Sequence, residues 1–346
     1  MLPNTHILVI RLSAMGDVAM TVPIIRAFVA QHPSVKITFL SKAFLKPLFH
    51  DIENVHFYTA DVKNKHKGII GLHKLSKELK ALNITHIADL HNVLRSKILR
   101  SFFKFTLNTI AIIDKGRAEK KALTRTENKI FKQLKTSHQR YADVFEKLGF
   151  KVDLSHPKTL EKPQLLKKVT TIATEKNKNW IGIAPFAAFK PKTYPIDLMK
   201  EVISTLSNKY QIYLFGGGET EIKILSEIER QNMNCVSVAG KLNLTEELNL
   251  IAHLDCMLAM DSGNAHFAAM QQTPTITLWG GTHPFAGFAP FNQPKDYCLL
   301  PDLEKYPNIP CSIYGNKNCD GYEDVMHTIL PKSVIKKIED VVHLHS

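Results

Sequence analysis

The 346 residues suffice for two domains, and 44% hydrophobic with 22% charged residues is the composition of an ordinary globular protein. No stretch approaches the roughly 18 uncharged apolar residues of a membrane-spanning helix, and the run His6–Ile10 is closed at once by Arg11, so it reads as a buried strand and not as a signal peptide. The net charge of +13 lies in one half: residues 1–150 carry 25 Lys and Arg against 11 Asp and Glu, while residues 151–346 carry 20 against 21.

In chain order, His6–Arg11, Val35–Leu40, Val55–Tyr58, Thr85–Leu90 and Thr109–Ile113 are short apolar runs of strand character. Asp17–Gln31, with Val18, Val22, Ile25 and Val29 on one face, and Ile69–Leu82 have helical spacing. A polar stretch, Ser155–Asn179, interrupts the pattern, which then restarts. Trp180–Ala184, Gln211–Phe215, Val236–Val238, Cys256–Met260 and Thr275–Leu278 are predicted strands. Ile196–Ser207, Glu219–Gln231, Thr245–His253 and Asn264–Met270 are predicted helices between them. Gly280–Asn308 is rich in Gly, Pro and aromatic residues and reads as loop. A last amphipathic helix begins at Pro331, a favoured first helical position. Strands alternating with helices predict two doubly wound α/β domains: residues 1–165, residues 166–330, and a C-terminal helix in 331–346 that packs back on the N-terminal domain.

Residues 91–140 hold 13 basic and 3 acidic side chains. Such a field attracts nucleic acid, an anionic membrane surface or a phosphorylated substrate, and a merely solvated basic face fits composition as well. The five cysteines, Cys235, Cys256, Cys298, Cys311 and Cys319, are odd in number and none lies in a CxxC pair. That argues against a disulfide framework and a zinc site, and for a reducing cytoplasm.

Open α/β sheets bind ligands beyond the carboxyl ends of their strands, and four such turns carry chemistry here. In Leu12-Ser-Ala-Met-Gly16-Asp17, Asp17 is either a helix cap or a proton acceptor, with Ser13 a competing cap. Asp261-Ser262-Gly263-Asn-Ala-His266 opens a helix with small residues, where backbone N–H groups and the helix dipole favour an anion. Gly216-Gly217-Gly218-Glu219-Thr-Glu221 permits close backbone approach, and either acid suits a ribose. Lys190 and Lys192 follow Trp180–Ala184, where a lysine suits a diphosphate leaving group. No DxD pair is present to hold a divalent metal, so the chemistry reads as metal-independent and without a cofactor.

With those turns in place, the chain resembles glycosyltransferase family 9, the bacterial lipopolysaccharide heptosyltransferases. The resemblance lies in Ile7–Pro23 (ILVIRLSAMGDVAMTVP), Lys192–Pro195 (KTYP, where the family usually has K-x-W-P), Phe215–Glu221 (FGGGETE) and Met260–Ala268 (MDSGNAHFA). The Cys311…Cys319 segment with Pro331 also looks like the family's C-terminus. It implies a GT-B fold, two Rossmann-like domains facing each other across a cleft, and an inverting transfer of heptose from ADP-heptose to a lipid A-linked core acceptor. By the same analogy Asp17 is the general base and Lys192 binds the diphosphate. The implied donor side comprises Ser13, Gly16, Lys192, Gly217, Glu219 or Glu221, Asp261, Ser262, Gly263 and His266; the acceptor side comprises His91 and Arg95. An anionic glycolipid acceptor also gives the basic half a purpose. It would dock at the inner membrane from the cytoplasm, with Phe102, Phe103 and Phe105 interleaved among Arg100 and Lys104. The rivals are the same chemistry with another nucleotide sugar, a silent sugar-nucleotide-binding module, and a nucleic-acid-binding protein. The last is disfavoured because none of the usual nucleic-acid modules appears.

Overall fold

A computed structural model describes residues 5–104, 109–173 and 176–345. The chain forms two compact units, Met1–Lys115 with Ser137–Lys158, and Gly116–Thr136 with Thr159–Ser346.

The first unit opens with β1 (His6–Ile10), α1 (Met15–Ala19), α2 (Val22–Gln31) and β2 (Lys36–Ser41). It continues with β3 (Val55–Thr59), α3 (Gly68–Lys80), β4 (His86–Asp89), α4 (Leu94–Ser101) and β5 (Thr109–Ile112). The strands form one parallel sheet in the order β3-β2-β1-β4-β5. Ile7, Leu8, Val9 and Ile10 are all fully buried, as expected of a central parallel strand covered on both faces. Leu8 and Ile10 pack with Leu72, Leu75 and Leu79 of α3 and with Leu99 of α4. The single helix expected over Asp17–Gln31 is two, because Pro23 sits at the start of α2, where a missing N–H costs nothing, and the chain bends at Met20–Thr21.

The chain then leaves for the second unit as α5 (Arg117–Thr124) and returns as α6 (Ser137–Lys147). Leu123 and Leu134 of the excursion pack with Ala286, Leu134 N–H donates to Phe285 O at 2.9 Å, and Lys120 lies 4.2 Å from the Phe288 ring centroid. A domain boundary near residue 165 therefore misses a segment of the first half that belongs with the second. This moves charge as well. The first unit carries 20 basic and 10 acidic residues, net +10, and the second unit is net +3.

The second unit continues with α7 (Lys167–Thr170), β6 (Trp180–Ala184), α8 (Ile196–Ser207), β7 (Gln211–Leu214), α9 (Glu219–Gln231) and β8 (Cys235–Ser237). After these come α10 (Leu244–Ile251), β9 (Cys256–Met260), α11 (Gly263–Met270), β10 (Thr275–Leu278), β11 (Cys298–Leu299) and α12 (Pro331–His345). The parallel sheet runs β11-β10-β9-β6-β7-β8, the short β11 lying within the stretch expected to be loop. The C-terminal helix packs within the second unit. Val334, Ile338, Val341 and Val342 of α12 join the second unit's own core, against α8 and β9.

The cysteine expectation also needs correction: Cys311 and Cys319 form a disulfide, eight residues apart. An odd count concealed it because Cys235 and Cys256 serve as buried apolar side chains. The count therefore carries no compartment argument. Among the described residues no helix is long and apolar enough to cross a membrane.

Candidate functional site

In each sheet the strand order reverses at one point, the place where open α/β sheets ordinarily bind their ligands. In the first unit that point lies between β1 and β4, and in the second between β6 and β9. All the predicted site residues except Gly217, Glu219 and Glu221 lie in the loops at these points or in the first turn of the helix that follows.

At the first switch point, Arg11 leaves β1 into the interior, 7% exposed. Its Nη1 donates to Leu90 O at 2.7 Å, its Nη2 pairs with Asp17 Oδ2 at 2.7 Å, and its guanidinium stands 5.8 Å from the Tyr141 ring centroid. Burial opposes this charge, but Tyr141, Asp17 and Asp89 outweigh it and hold the Arg11 pKa above its ordinary value. Asp17 Oδ2 also accepts from Ala14 N–H at 3.1 Å. Asp17 is thus a cap for its helix, and its side chain stays 32% exposed with the described hydrogen bonds confined to Oδ2. Ser13 does not compete for that cap. Its Oγ lies 3.4 Å from His91 Nε2.

His91 is buried, and Leu12 N–H donates to its Nδ1 at 3.4 Å, which leaves the proton on Nε2 facing Ser13. Burial, then the charges of Arg11, Lys115 and Arg95, push its pKa down to about 3, against the opposing pull of Asp17. The ring is therefore neutral near pH 7. The fully buried Asp89 fixes this loop by accepting from His91 N–H and Asn92 N–H, each at 2.8 Å, and by pairing with Arg100 at 3.2 Å. Arg95 is exposed on the first turn of α4. The first switch point thus brings together Ser13, Gly16, Asp17 and His91, with Arg95 at its edge. Ser13 and Gly16 lie in the first unit, at this switch point.

At the second switch point, β9 delivers Asp261 and β6 leads into the Lys190–Lys192 turn. Lys192 Nζ pairs with Asp261 Oδ2 at 2.9 Å, and Thr282 Oγ1 donates to the same oxygen at 2.9 Å. Lys192 is 14% exposed and Asp261 7%, so this is a nearly buried pair. Asp261 is consumed in holding Lys192; a carboxylate aimed at a phosphate would repel it. Ser262 is the N-cap of α11, yet no side chain caps that helix, and the buried Ser262 Oγ has no hydrogen-bond partner among the described residues. Gly263 begins the helix and His266 is buried one turn on. An N-terminus without a side-chain cap, a spare hydroxyl and a fixed ammonium are together features that favour an anion.

The glycine turn after β7 lies next to β6 in the sheet. Gly217 N–H donates to Glu221 Oε2 at 2.8 Å, so Glu221 braces its own loop. Glu219 is exposed at the start of α9. Tyr194, at the family's usual Trp position, is a core residue whose hydroxyl donates to Ile329 O at 2.5 Å.

A model of glycosyltransferase family 9 (heptosyltransferase) matches residues 72–312. The chain belongs to glycosyltransferase family 9. It is 26% identical over 300 residues to the lipopolysaccharide core heptosyltransferase OpsX of Haemophilus influenzae, covering 82% of this chain and 81% of that protein. Among solved structures it is similar to a family 9 glycosyltransferase from Veillonella parvula, with a TM-score of 0.74 at 18% identity over 98% of both chains. It is also similar to the ADP-heptose lipopolysaccharide heptosyltransferase II of E. coli, with a TM-score of 0.69 at 17% identity over 99% of both. The fold is of the GT-B type and this family 9 member is a glycosyltransferase.

Sequence reading missed Arg11, Tyr141 and Thr282. Arg11 was legible in principle: a charge directly after four buried strand residues must find a partner. Tyr141 and Thr282 reach their sites only through tertiary packing. The aromatic set meant for a membrane surface also changes. Phe103 is buried in the core, with Lys80 Nζ 5.5 Å from its ring centroid, and Phe102 packs on His73 at 5.2 Å. Phe105 lies outside the described residues.

Proposed function

We propose that this chain transfers a heptose from ADP-heptose to the lipid A-linked core of lipopolysaccharide, with inversion at the anomeric carbon. Asp17 removes the acceptor's proton, the acceptor oxygen attacks the anomeric carbon, the bond to the diphosphate breaks, and ADP departs. Lys192 and the N-terminus of α11 stabilise the charge that develops on the diphosphate, in the manner of an oxyanion site. The observation that carries this reading is that, among the described residues, α11 has no side-chain cap and Ser262 Oγ has no partner, beside the Lys192–Asp261 pair. The donor and acceptor follow the names of the relatives. Glu219, exposed and outside the loop's own bracing, is the better placed acid for the ribose.

The test is a panel of nucleotide sugars with mass readout of the acceptor and NMR of the product anomer. Transfer from ADP-heptose with inverted configuration is expected; transfer only from another nucleotide sugar, or with retention, overturns the corresponding part. We also infer that the first unit docks on the inner membrane's anionic surface. Its net charge of +10 supports this, as do Ile69, Ile70 and Leu94, which are 66%, 86% and 74% exposed at the starts of α3 and α4, with Lys63, Lys65, Lys67 and Arg95 nearby in the chain. Co-flotation with phosphatidylglycerol vesicles that fades as salt rises is expected. Binding indifferent to salt counts against it.

A further inference from the structure

The Cys311–Cys319 loop has no part in the roles assigned above, yet it lies directly on Lys192. A Cβ built on Gly315 would overlap Cγ and Cδ of the Lys192 side chain and come within 3.4 Å of Thr282 Cγ2. Gly315 has φ +71, a conformation that glycine adopts freely. Three segments are stitched around that contact. Gly281 N–H donates to Pro191 O at 2.9 Å, and Cys311 and Ser312 N–H donate to Gly281 O at 3.3 Å. Gly315 N–H donates to Ser312 Oγ at 3.0 Å, and the disulfide closes the loop. Thr282, from the middle segment, holds the carboxylate that Lys192 pairs with.

We propose that Gly315, held by the disulfide-closed loop, is a positioning residue for Lys192. Its bare Cα is the wall against which the lysine stem lies, and this fixes the ammonium beside Asp261 at the start of α11. A lysine otherwise carries much rotamer freedom, all of which binding would have to remove. The inference rests on the reading of Lys192 as the diphosphate-binding residue, and the experiment separates the two.

The full chain, Lys192→Ala, Gly315→Ala and the double variant are titrated with ADP and with adenosine by calorimetry. Lys192→Ala weakens ADP about 10- to 100-fold, the loss of one charge-assisted hydrogen bond, and leaves adenosine alone. Gly315→Ala weakens ADP at least about tenfold, again sparing adenosine, and adds less than about twofold on the Lys192→Ala background, where no stem remains to collide with the new methyl. A Gly315→Ala loss that persists undiminished in that background means the glycine serves only its own turn, and overturns the proposal. So does a Gly315→Ala variant that binds ADP like the parent. A harmless Lys192→Ala removes the diphosphate role and the clamp with it. The paired change Cys311→Ser with Cys319→Ser loosens the loop without touching Gly315. A several-fold loss for ADP alone is expected, and either unchanged ADP affinity or an equal loss for adenosine overturns the proposal.

Discussion

The two switch points are built on the same plan and end with opposite polarity. Each places an acid directly after, or one turn beyond, a central buried strand, and each pairs that acid with a buried or nearly buried cation: Arg11 with Asp17, Lys192 with Asp261. They differ in what is left over. At the first, the arginine is spent on Leu90 O, Asp17 and the Tyr141 ring, while Asp17 retains exposure. At the second, the carboxylate is spent on Lys192 and Thr282, while among the described residues the N-cap of α11 makes no side-chain cap bond. One site offers a proton acceptor, the other offers hydrogen-bond donors and positive charge. A doubly wound sheet therefore sets where a site forms, and the pairing around the acid sets what the site can do.

The largest effect that would break this contrast comes from Asp17→Asn. The amide keeps the cap to Ala14 N–H and the size of the side chain but takes no proton. Turnover is expected to fall about 10²–10⁴-fold, with ADP affinity unchanged. Steady-state kinetics beside ADP titration checks both. Parent-like turnover would reduce Asp17 to a cap, and the two switch points would then differ only in local architecture.

The histidines give a second, smaller test. Each switch region contains a buried neutral ring. Burial pushes His91 to about 3, and burial with the nearby charge of Lys129 pushes His283, which follows Thr282, to about 4. In the unfolded chain both take up a proton near pH 6.5. Below that pH the unfolded state binds more protons, so stability falls as pH drops through the window from 6.5 toward each folded value. The slope is about 1.4 kcal/mol per pH unit for each ring. Both rings accept a backbone N–H through Nδ1, from Leu12 and from Phe285, a contact that Asn can imitate. Denaturant unfolding between pH 7 and 5 should show a shallower acid loss in His91→Asn and in His283→Asn than in the parent. Parallel curves would mean that the rings take up protons in the folded chain just as they do in the unfolded one.

Much of this architecture was legible in the residues. Trp180–Ala184, Ile196–Ser207, Glu219–Gln231, Cys256–Met260 and Thr275–Leu278 have the bounds predicted for them, because unbroken apolar runs and amphipathic spacing are local signals. The site positions were also local, since they follow those strands. What stayed hidden depends on distant partners. The excursion Gly116–Thr136 looks like N-terminal sequence until Leu134 meets Phe285. Phe103 looks like a surface aromatic until it is found buried with Leu99 and Leu75. Whether Asp17 caps or reacts could not be read from spacing, and the geometry explains why: capping and pairing both use Oδ2, and neither uses the other oxygen.

The acids of the glycine turn offer the finest discrimination. Glu219 and Glu221 are indistinguishable by spacing, and only the bond from Gly217 N–H to Glu221 separates them. Glu221→Ala removes that brace and leaves a backbone donor to solvent, so it should cost about 1 kcal/mol of folding stability. Nucleotide affinity should fall less than about threefold, since the ligand does not meet this carboxylate. Glu219→Ala should do the reverse, leaving stability within about 0.5 kcal/mol of the parent. It should weaken ADP about tenfold through the loss of charge-assisted bonds to ribose hydroxyls. Paired melts and ADP titrations of the two variants decide the matter. If Glu221→Ala instead carries the affinity loss, Glu221 must release Gly217 when nucleotide binds, and the glycine turn is then a part of the second switch region that rearranges around its ligand.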